Sequence, residues 1–279
     1  MFVCLNWVMR VTTDLHTHTT YSPDARSSVR EMCQQAAHMG LSAIAFTEHK
    51  EWGGRFYAPF KRLDKYFRDI EACRRDFSRE FVPSSHAPLL VLSGVEMGNP
   101  HEYVAKATKL LEENQFDVKI ASLHRLYGTN IHDKRCFRRR DLHDVMTDYF
   151  EATEEMIRDF EFDILGHFDR ILWRPTLESA EYDIYQVEKS VRSLFSTALE
   201  QNVMIELNTK VFRTRPSWRS TLHTMLGWYR EAGGTQLLVN SDAHHKRNIQ
   251  TRFDEAVDLL DEVGLMPAEG LAFAKQKLL

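Results

Sequence analysis

Seven short runs rich in Val, Ile and Leu are spaced along the 279-residue chain, and amphipathic segments separate them. The runs are Val11–Leu15, Ser42–Thr47, Leu89–Ser93, Val118–Ser122, Phe162–Gly166, Val203–Leu207 and Gln236–Asn240. Apolar runs of this length, bounded by turn residues, read as buried strands. Helical periodicity fills the intervals. In Val29–Met39 the residues Val29, Met32, Cys33, Ala36 and Ala37 share one face and Gly40 follows as a C-terminal stop; Val187–Leu199 has the same pattern. Strand and helix in alternation constrain the chain to a parallel sheet covered by helices. No GxGxxG or GxxxxGK loop follows the first run, so a closed barrel explains the pattern better than an open nucleotide-binding sheet. No Pro/Gly/Ser-rich linker divides the sequence, and one domain over residues 1–279 is expected.

The residues that follow each run carry the chemistry. The first ends in Asp14-Leu15-His16-Thr17-His18 and the second in Thr47-Glu48-His49. Glu96, His124 and His167 follow the third, fourth and fifth; the sixth carries Glu206 and Asn208, and the seventh gives Ser241-Asp242-Ala243-His244. Parallel barrels build their sites at the C-terminal ends of their strands, so these side chains are expected to converge. His16 and His18 point the same way in an extended segment, and so do Asp242 and His244. Imidazole nitrogens mixed with carboxylate oxygens suit Zn²⁺, Fe²⁺ or Mn²⁺ better than magnesium. Together with Asp24, the set His16, His18, His49, Glu96, His124, His167, Asp242 and His244 exceeds what one tetrahedral ion takes and fits two or three divalent ions.

Bulk composition narrows the partners. Lys and Arg number 36 against 40 Asp and Glu, for a net charge of −4, and this acidic balance argues against a nucleic-acid partner. The four cysteines form no CxxC pair, which points to reduced thiols in a cytoplasmic setting. No stretch reaches the roughly 20 apolar residues that span a bilayer, so no membrane partner is expected. Residues 1–8 read as an N-terminal appendage, with Met9 well placed as a start.

The ordered motifs DLHTHTTYSPD, TEH, GVEMG, SLH, GHFD, IELNT and SDAH resemble those of the PHP (polymerase and histidinol phosphatase) superfamily, and most closely its stand-alone histidinol-phosphate phosphatase branch. The resemblance runs from about Val11 to the C-terminal helix. It implies a distorted seven-stranded (β/α)7 TIM-like barrel with a three-metal cluster at the C-terminal face. Carried over by motif, His16 and His18 bind a first metal with Glu96 and Asp242. Asp24, His49 and His244 surround a second, and Glu96 spans toward a third with His124 and His167. Glu48, beside a ligand, is expected to support the ligands or touch the substrate. Phosphate-binding cations in this branch follow the GHxD and ExNT motifs, which here gives Arg174, with Arg170 as the alternative, and Lys210; Arg213 is a further candidate. Arg125, directly after His124, departs from the pattern and has no reading in the sequence.

The activity so implied is metal-dependent hydrolysis of a small-molecule phosphate monoester, L-histidinol phosphate, in histidine biosynthesis. A hydroxide held between two ions would attack phosphorus in line, with the cations stabilising the equatorial oxygens. The rival readings are a family member acting on nucleotides, as a phosphatase, phosphoesterase or exonuclease, and a non-catalytic PHP module. The six histidines of the motifs leave seven others, His38, His86, His101, His132, His143, His223 and His245, which are read as structural or solvated. Lys134–Arg140 is a basic run, read as a solvated loop leading to a helix that starts near Asp141. The aromatic stretch Glu51–Tyr57 is open between a lid over the substrate and packing against the barrel mouth.

Overall fold

The computed structural model describes residues 11–53, 60, 62–78, 88–173 and 182–278, so the stretch 1–8 and the candidate Arg174 lie outside the described residues. All seven apolar runs form strands: β1 (Thr13–Thr17), β2 (Ala43–Lys50), β3 (Leu90–Gly98), β4 (Val118–Ser122), then, beyond a hairpin of β5 (Arg125–Leu126) and β6 (Thr129–Asn130), β7 (Ile164–Leu165), β8 (Met204–Asn208) and β9 (Gln236–Asn240). β10 (Met266–Pro267) is an addition. The helices are α1 (Val29–His38), α2 (Leu63–Asp76), α3 (Val104–Glu113), α4 (Leu142–Asp159), α5 (Glu188–Glu200), α6 (Lys210–Thr214), α7 (Arg219–Glu231), α8 (Phe253–Val263) and α9 (Gly270–Gln276).

The main sheet has the order β1-β2-β3-β4-β7-β8-β9-β10, and every neighbouring pair is parallel. It therefore has eight strands rather than the expected seven. β10 pairs with Gln236 and Leu237 at the start of β9. A two-residue strand that contains a proline carries no apolar run, and proline is tolerated there because the strand is an edge. The sheet curls until, among the described residues, one isolated bridge, Thr17 to Ala243, joins the end of β1 to the segment after β9. Side chains close the rest of that seam: Leu15 N donates to Asn240 Oδ1 over 2.8 Å, and Ser241 donates through N and Oγ to Asp14.

Strand register sets which side chains face the interior. Ala43, Ala45, Leu90, Leu92, Val118, Ile120, Ile164, Met204 and Leu238 form an inner apolar layer. With side chains alternating, the same faces continue upward to His49, Glu96, Ser122, Glu206, Asn240 and Asp242. β1 alone needs a correction of phase. Its register to β2 shifts between Asp14 and Thr17, where β1 spends three steps against two in its partner. This bulge lets Leu15 join the inner layer while His16 and His18, one position out of phase with it, also turn inward.

Local chemistry supports the helices. α1 has a capping box, in which Ser28 accepts from Glu31 N while the Glu31 carboxylate takes the Ser28 N–H. It ends as expected, with Gly40 at φ +78° and the Leu41 N–H bonded to Ala36 O. α4 starts at Leu142 with Asp141 as its cap. The hairpin turns on Tyr127 and Gly128, both at positive φ (53° and 66°), a two-residue geometry that matches strand twist. Among the described residues no helix is long and apolar enough to cross a membrane.

Candidate metal centre

Nine predicted ligands meet at the C-terminal ends of the strands. Glu96 lies at the middle, fully buried. Its Oε1 is 2.8 Å from His167 Nε2 and 3.1 Å from His124 Nε2; its Oε2 is 2.8 Å from His49 Nδ1 and 3.5 Å from both His16 Nε2 and His18 Nε2. Asp242 Oδ1 is 3.3 Å from His18 Nε2 and 3.2 Å from His244 Nδ1. Asp24 closes the outer side, 3.2 Å from His244 Nε2 and 3.6 Å from His49 Nε2, with its side chain more than half exposed. Four triads have donor atoms within 4.8 Å of one another: His16/His18/Asp242, His16/Glu96/His167, His49/Glu96/His124 and His18/His49/His244.

The donor set fits cations. His16 Nε2, His18 Nε2, His49 Nδ1, Glu96 Oε2 and Asp242 Oδ1 are all buried and lack a partner in hydrogen-bonding geometry. Such atoms cost about 1–3 kcal/mol each when left unpaired, and five of them converging is the signature of a site shaped for something else. Electrostatics agree. Despite burial, the surrounding imidazoles hold Glu96 well below the usual carboxylate range, and Lys210 and His244 do the same for Asp242. Burial and the neighbouring His49 and His244 push His18 well below its ordinary value, whereas against burial the adjoining carboxylates raise His16, His49 and His244. Two of the predicted ligands, His167 (φ 27°) and Asp242 (φ 50°), sit in the left-handed region that side-chain-bearing residues rarely adopt.

A layer behind the ligands fixes their rings. Glu206 Oε2 lies 2.8 Å from His16 Nδ1, and the same carboxylate accepts from Asn208, Asn240 and the His167 N–H. Glu51 Oε1 lies 2.5 Å from His124 Nδ1. Ser22 Oγ lies 3.2 Å from His18 Nδ1. Carboxylate or hydroxyl partners of this kind set the tautomer of a metal-binding imidazole.

The PHP domain profile matches residues 14–210, which contain the first seven of the nine ligands. The chain belongs to the PHP domain family. It is 24% identical over 256 residues to a protein named "Probable histidinol-phosphatase" from Clostridium acetobutylicum, covering 91% of this chain and 94% of that one. It is 21% identical over 273 residues to the histidinol-phosphatase of Lactococcus lactis subsp. lactis, covering 95% and 97%. The crystal structure of histidinol phosphate phosphatase from that organism, complexed with zinc, L-histidinol and phosphate, superposes with a TM-score of 0.81 at 19% identity over 92% of this chain and 95% of the other.

Within this PHP framework the other predicted residues separate. Lys210 reaches the centre, with Nζ 2.9 Å from Asp242 Oδ2. Arg170 also reaches it, with Nη1 3.2 Å from His167 Nε2. Arg213 stands exposed on α6, and among the described residues no hydrogen bond or ion pair ties it to the ligands. Glu48 needs a correction as a substrate contact. Register turns it away from the interior, fully buried, and it accepts from Thr19 N and Oγ1 and from Ser22 Oγ. Burial raises its carboxyl to about 7 against those hydrogen bonds. Its reach to the ligands is indirect, through Ser22.

Arg125 now has a place. Its buried guanidinium donates to Tyr103 Oη over 3.2 Å and lies over that ring. The aromatic stretch divides: Glu51 is buried against His124, Trp52 stacks on Tyr103, and residues 54–57 lie outside the described residues. In the basic run, Phe137 packs against the core, Arg135 pairs with Asp133 and Arg140 lies over the Tyr127 ring. Glu51 and Asn99, which both hold His124, carry no motif signal and are not singled out by the sequence. Glu51 follows His49 by two positions, so strand alternation alone places it on the same face.

Proposed function

We propose that the chain is a metal-dependent phosphomonoesterase that hydrolyses L-histidinol phosphate to histidinol and phosphate. The observation that carries this reading is the convergence of five unpartnered buried donor atoms on one point at the barrel mouth, with two cations, Lys210 and Arg170, beside it. Two or three divalent ions, zinc, iron or manganese, would be held by His16, His18, Asp24, His49, Glu96, His124, His167, Asp242 and His244. Bound ions of this kind lower the pKa of water toward neutrality and offset charge on a phosphoryl group. Three ligand carboxylates with Glu51 and Glu206 behind them outnumber Lys210 and Arg170, an acidic lining that would favour divalent cations, whose charge would in turn attract a phosphate dianion.

The chain's own residues then have definite tasks. Lys210 and Arg170 meet the non-bridging oxygens, Lys210 as a point charge and Arg170 with a planar fork. Glu206 and Glu51 would orient the rings of His16 and His124 by accepting from Nδ1, so that each Nε2 faces the centre. The choice of histidinol phosphate rests on the motif order and on the names of the relatives.

The test is phosphate release by purified protein loaded with Mn²⁺ or Zn²⁺, with L-histidinol phosphate, nucleoside monophosphates, a nucleoside 3′,5′-bisphosphate and p-nitrophenyl phosphate compared by kcat/KM. Highest kcat/KM on histidinol phosphate is expected. A nucleotide preference transfers the site to that substrate class, and no release from any monoester by metal-loaded protein overturns the phosphatase reading.

A further inference from the structure

The layer behind the ligands is unevenly distributed. The triad His16/His18/Asp242 is braced from the barrel interior, by Glu206 on β8 against His16 and by Lys210 against Asp242. The triad His49/Glu96/His124 is braced from the rim instead, by Glu51 against His124. Glu51 is the first residue after β2, and it occupies a slot that exists because residue 98 is glycine. A Cβ on Gly98 would lie 2.2–2.5 Å from the Glu51 carboxylate atoms. The next residues tie the same segment to a second wall: Trp52 stacks on Tyr103 at 6.2 Å, and Gly53 passes so close that an added Cβ would meet Tyr103 Oη at 2.4 Å and Arg125 Nη1 at 2.6 Å. His124 is fixed at both ends of the residue. Its ring is held by Glu51, and its N–H and that of Arg125 both donate to Asn99 Oδ1, over 2.9 Å each.

We infer that Glu51 is a positioning residue that sets the affinity of the ion bound through His124, whose Nε2 shares Glu96 Oε1 with His167, and so links that ion to the packing of the Glu51–Gly53 rim segment. This rests on the metal-centre reading above. The physical argument is that an imidazole ligand needs its remote nitrogen protonated and its ring plane fixed, and only Glu51 does both for His124. The His16 ring takes its orientation from Glu206 on β8 instead, and not from the rim segment.

The experiment is calorimetric titration of the metal-stripped full chain with Mn²⁺, run for wild type, Glu51→Ala, Glu51→Gln, Gly98→Ala and Glu51→Ala/Gly98→Ala, with melting of each stripped protein as the folding control. Glu51→Ala is expected to weaken one ion about 10–100-fold and leave the rest within twofold of wild type. Glu51→Gln, which can still accept from Nδ1, should fall between the two. Gly98→Ala should reproduce the loss by displacing the carboxylate, and it should add nothing in the Glu51→Ala background, because both changes act through one contact. Equal weakening of every ion, or wild-type binding in Glu51→Ala, overturns the inference while leaving the metal centre intact. A wild-type chain that binds no Mn²⁺ overturns the metal-centre reading itself.

Discussion

Replacing Glu96 by Gln is the most demanding test of the centre, because one side chain touches most of it. The carboxylate lies within 3.5 Å of five imidazoles, and Ser122 Oγ donates to it over 2.8 Å. Glutamine keeps the shape but removes the charge and turns an NH₂ donor toward ring nitrogens. Residues that only orient a metal ligand are worth about 10–100-fold in affinity, so a direct ligand should be worth at least about 100-fold. Stabilisation by a bound ion is RT ln(1 + [L]/Kd), about 4.1 kcal/mol at a thousandfold excess over Kd and about 1.4 kcal/mol at tenfold. The same free metal that gives the wild type its full increment should therefore leave Glu96→Gln short by about 2.7 kcal/mol. At about 2–4 °C per kcal/mol for chains of this order of size, the metal-dependent rise in Tm should shrink by roughly 5–10 °C. Differential scanning calorimetry of stripped and loaded protein measures both numbers. Stripped Glu96→Gln should melt near stripped wild type, which separates lost binding from a damaged fold. A variant that keeps the full metal-dependent rise would falsify the placement of Glu96 among the ligands.

Three further outcomes follow from particular contacts. Lys210→Ala should raise the inhibition constant of inorganic phosphate roughly tenfold or more, since a hydrogen bond to a charged group is worth about 1.5–3 kcal/mol; an unchanged constant removes Lys210 from phosphate binding. Gly166→Ala would place a Cβ 2.5 Å from Ser122 Oγ, which holds Glu96, so loss of about 1–3 kcal/mol in thermal unfolding is expected, partly recovered when Ser122→Ala is added; melting equal to wild type sinks this packing argument. Ser28→Ala should cost about 1 kcal/mol through the α1 capping box with kcat/KM unchanged, as urea unfolding and initial rates would show.

Much of the site was legible because its signal is local. His16 and His18, or Asp242 and His244, declare a shared direction through a spacing of two, and each follows an apolar run that any parallel sheet would bury. The same rule separates the two roles open to Glu48, which reaches the predicted ligands through Ser22 and not the interior. A residue beside a ligand faces the opposite way in a strand, and β2 runs on through Lys50, so alternation still governs there. The bulge in β1 was not legible, because it is a relation between Asp14–Thr17 and β2 that neither segment states alone. β10 escaped because pairing, not composition, makes Met266–Pro267 a strand. Glu51 escaped because a carboxylate two positions past a ligand gains its role only from Gly98 on another strand, whose missing side chain makes room.

The seam between β1 and β9 gives the ligand set a second meaning. Among the described residues, one isolated backbone bridge and a few side-chain bonds join β1 to the segment after β9, and Asp14 and Ser241, which meet there, are 227 positions apart in the chain. His16 and His18 lie on one side of that seam, Asp242 and His244 on the other. An ion shared between them would tie positions more than two hundred residues apart, and a cross-link over so long a loop removes much entropy from the unfolded state. Metal removal is then expected to loosen the barrel first along this line, as hydrogen exchange of the β1 and β9 amides would show.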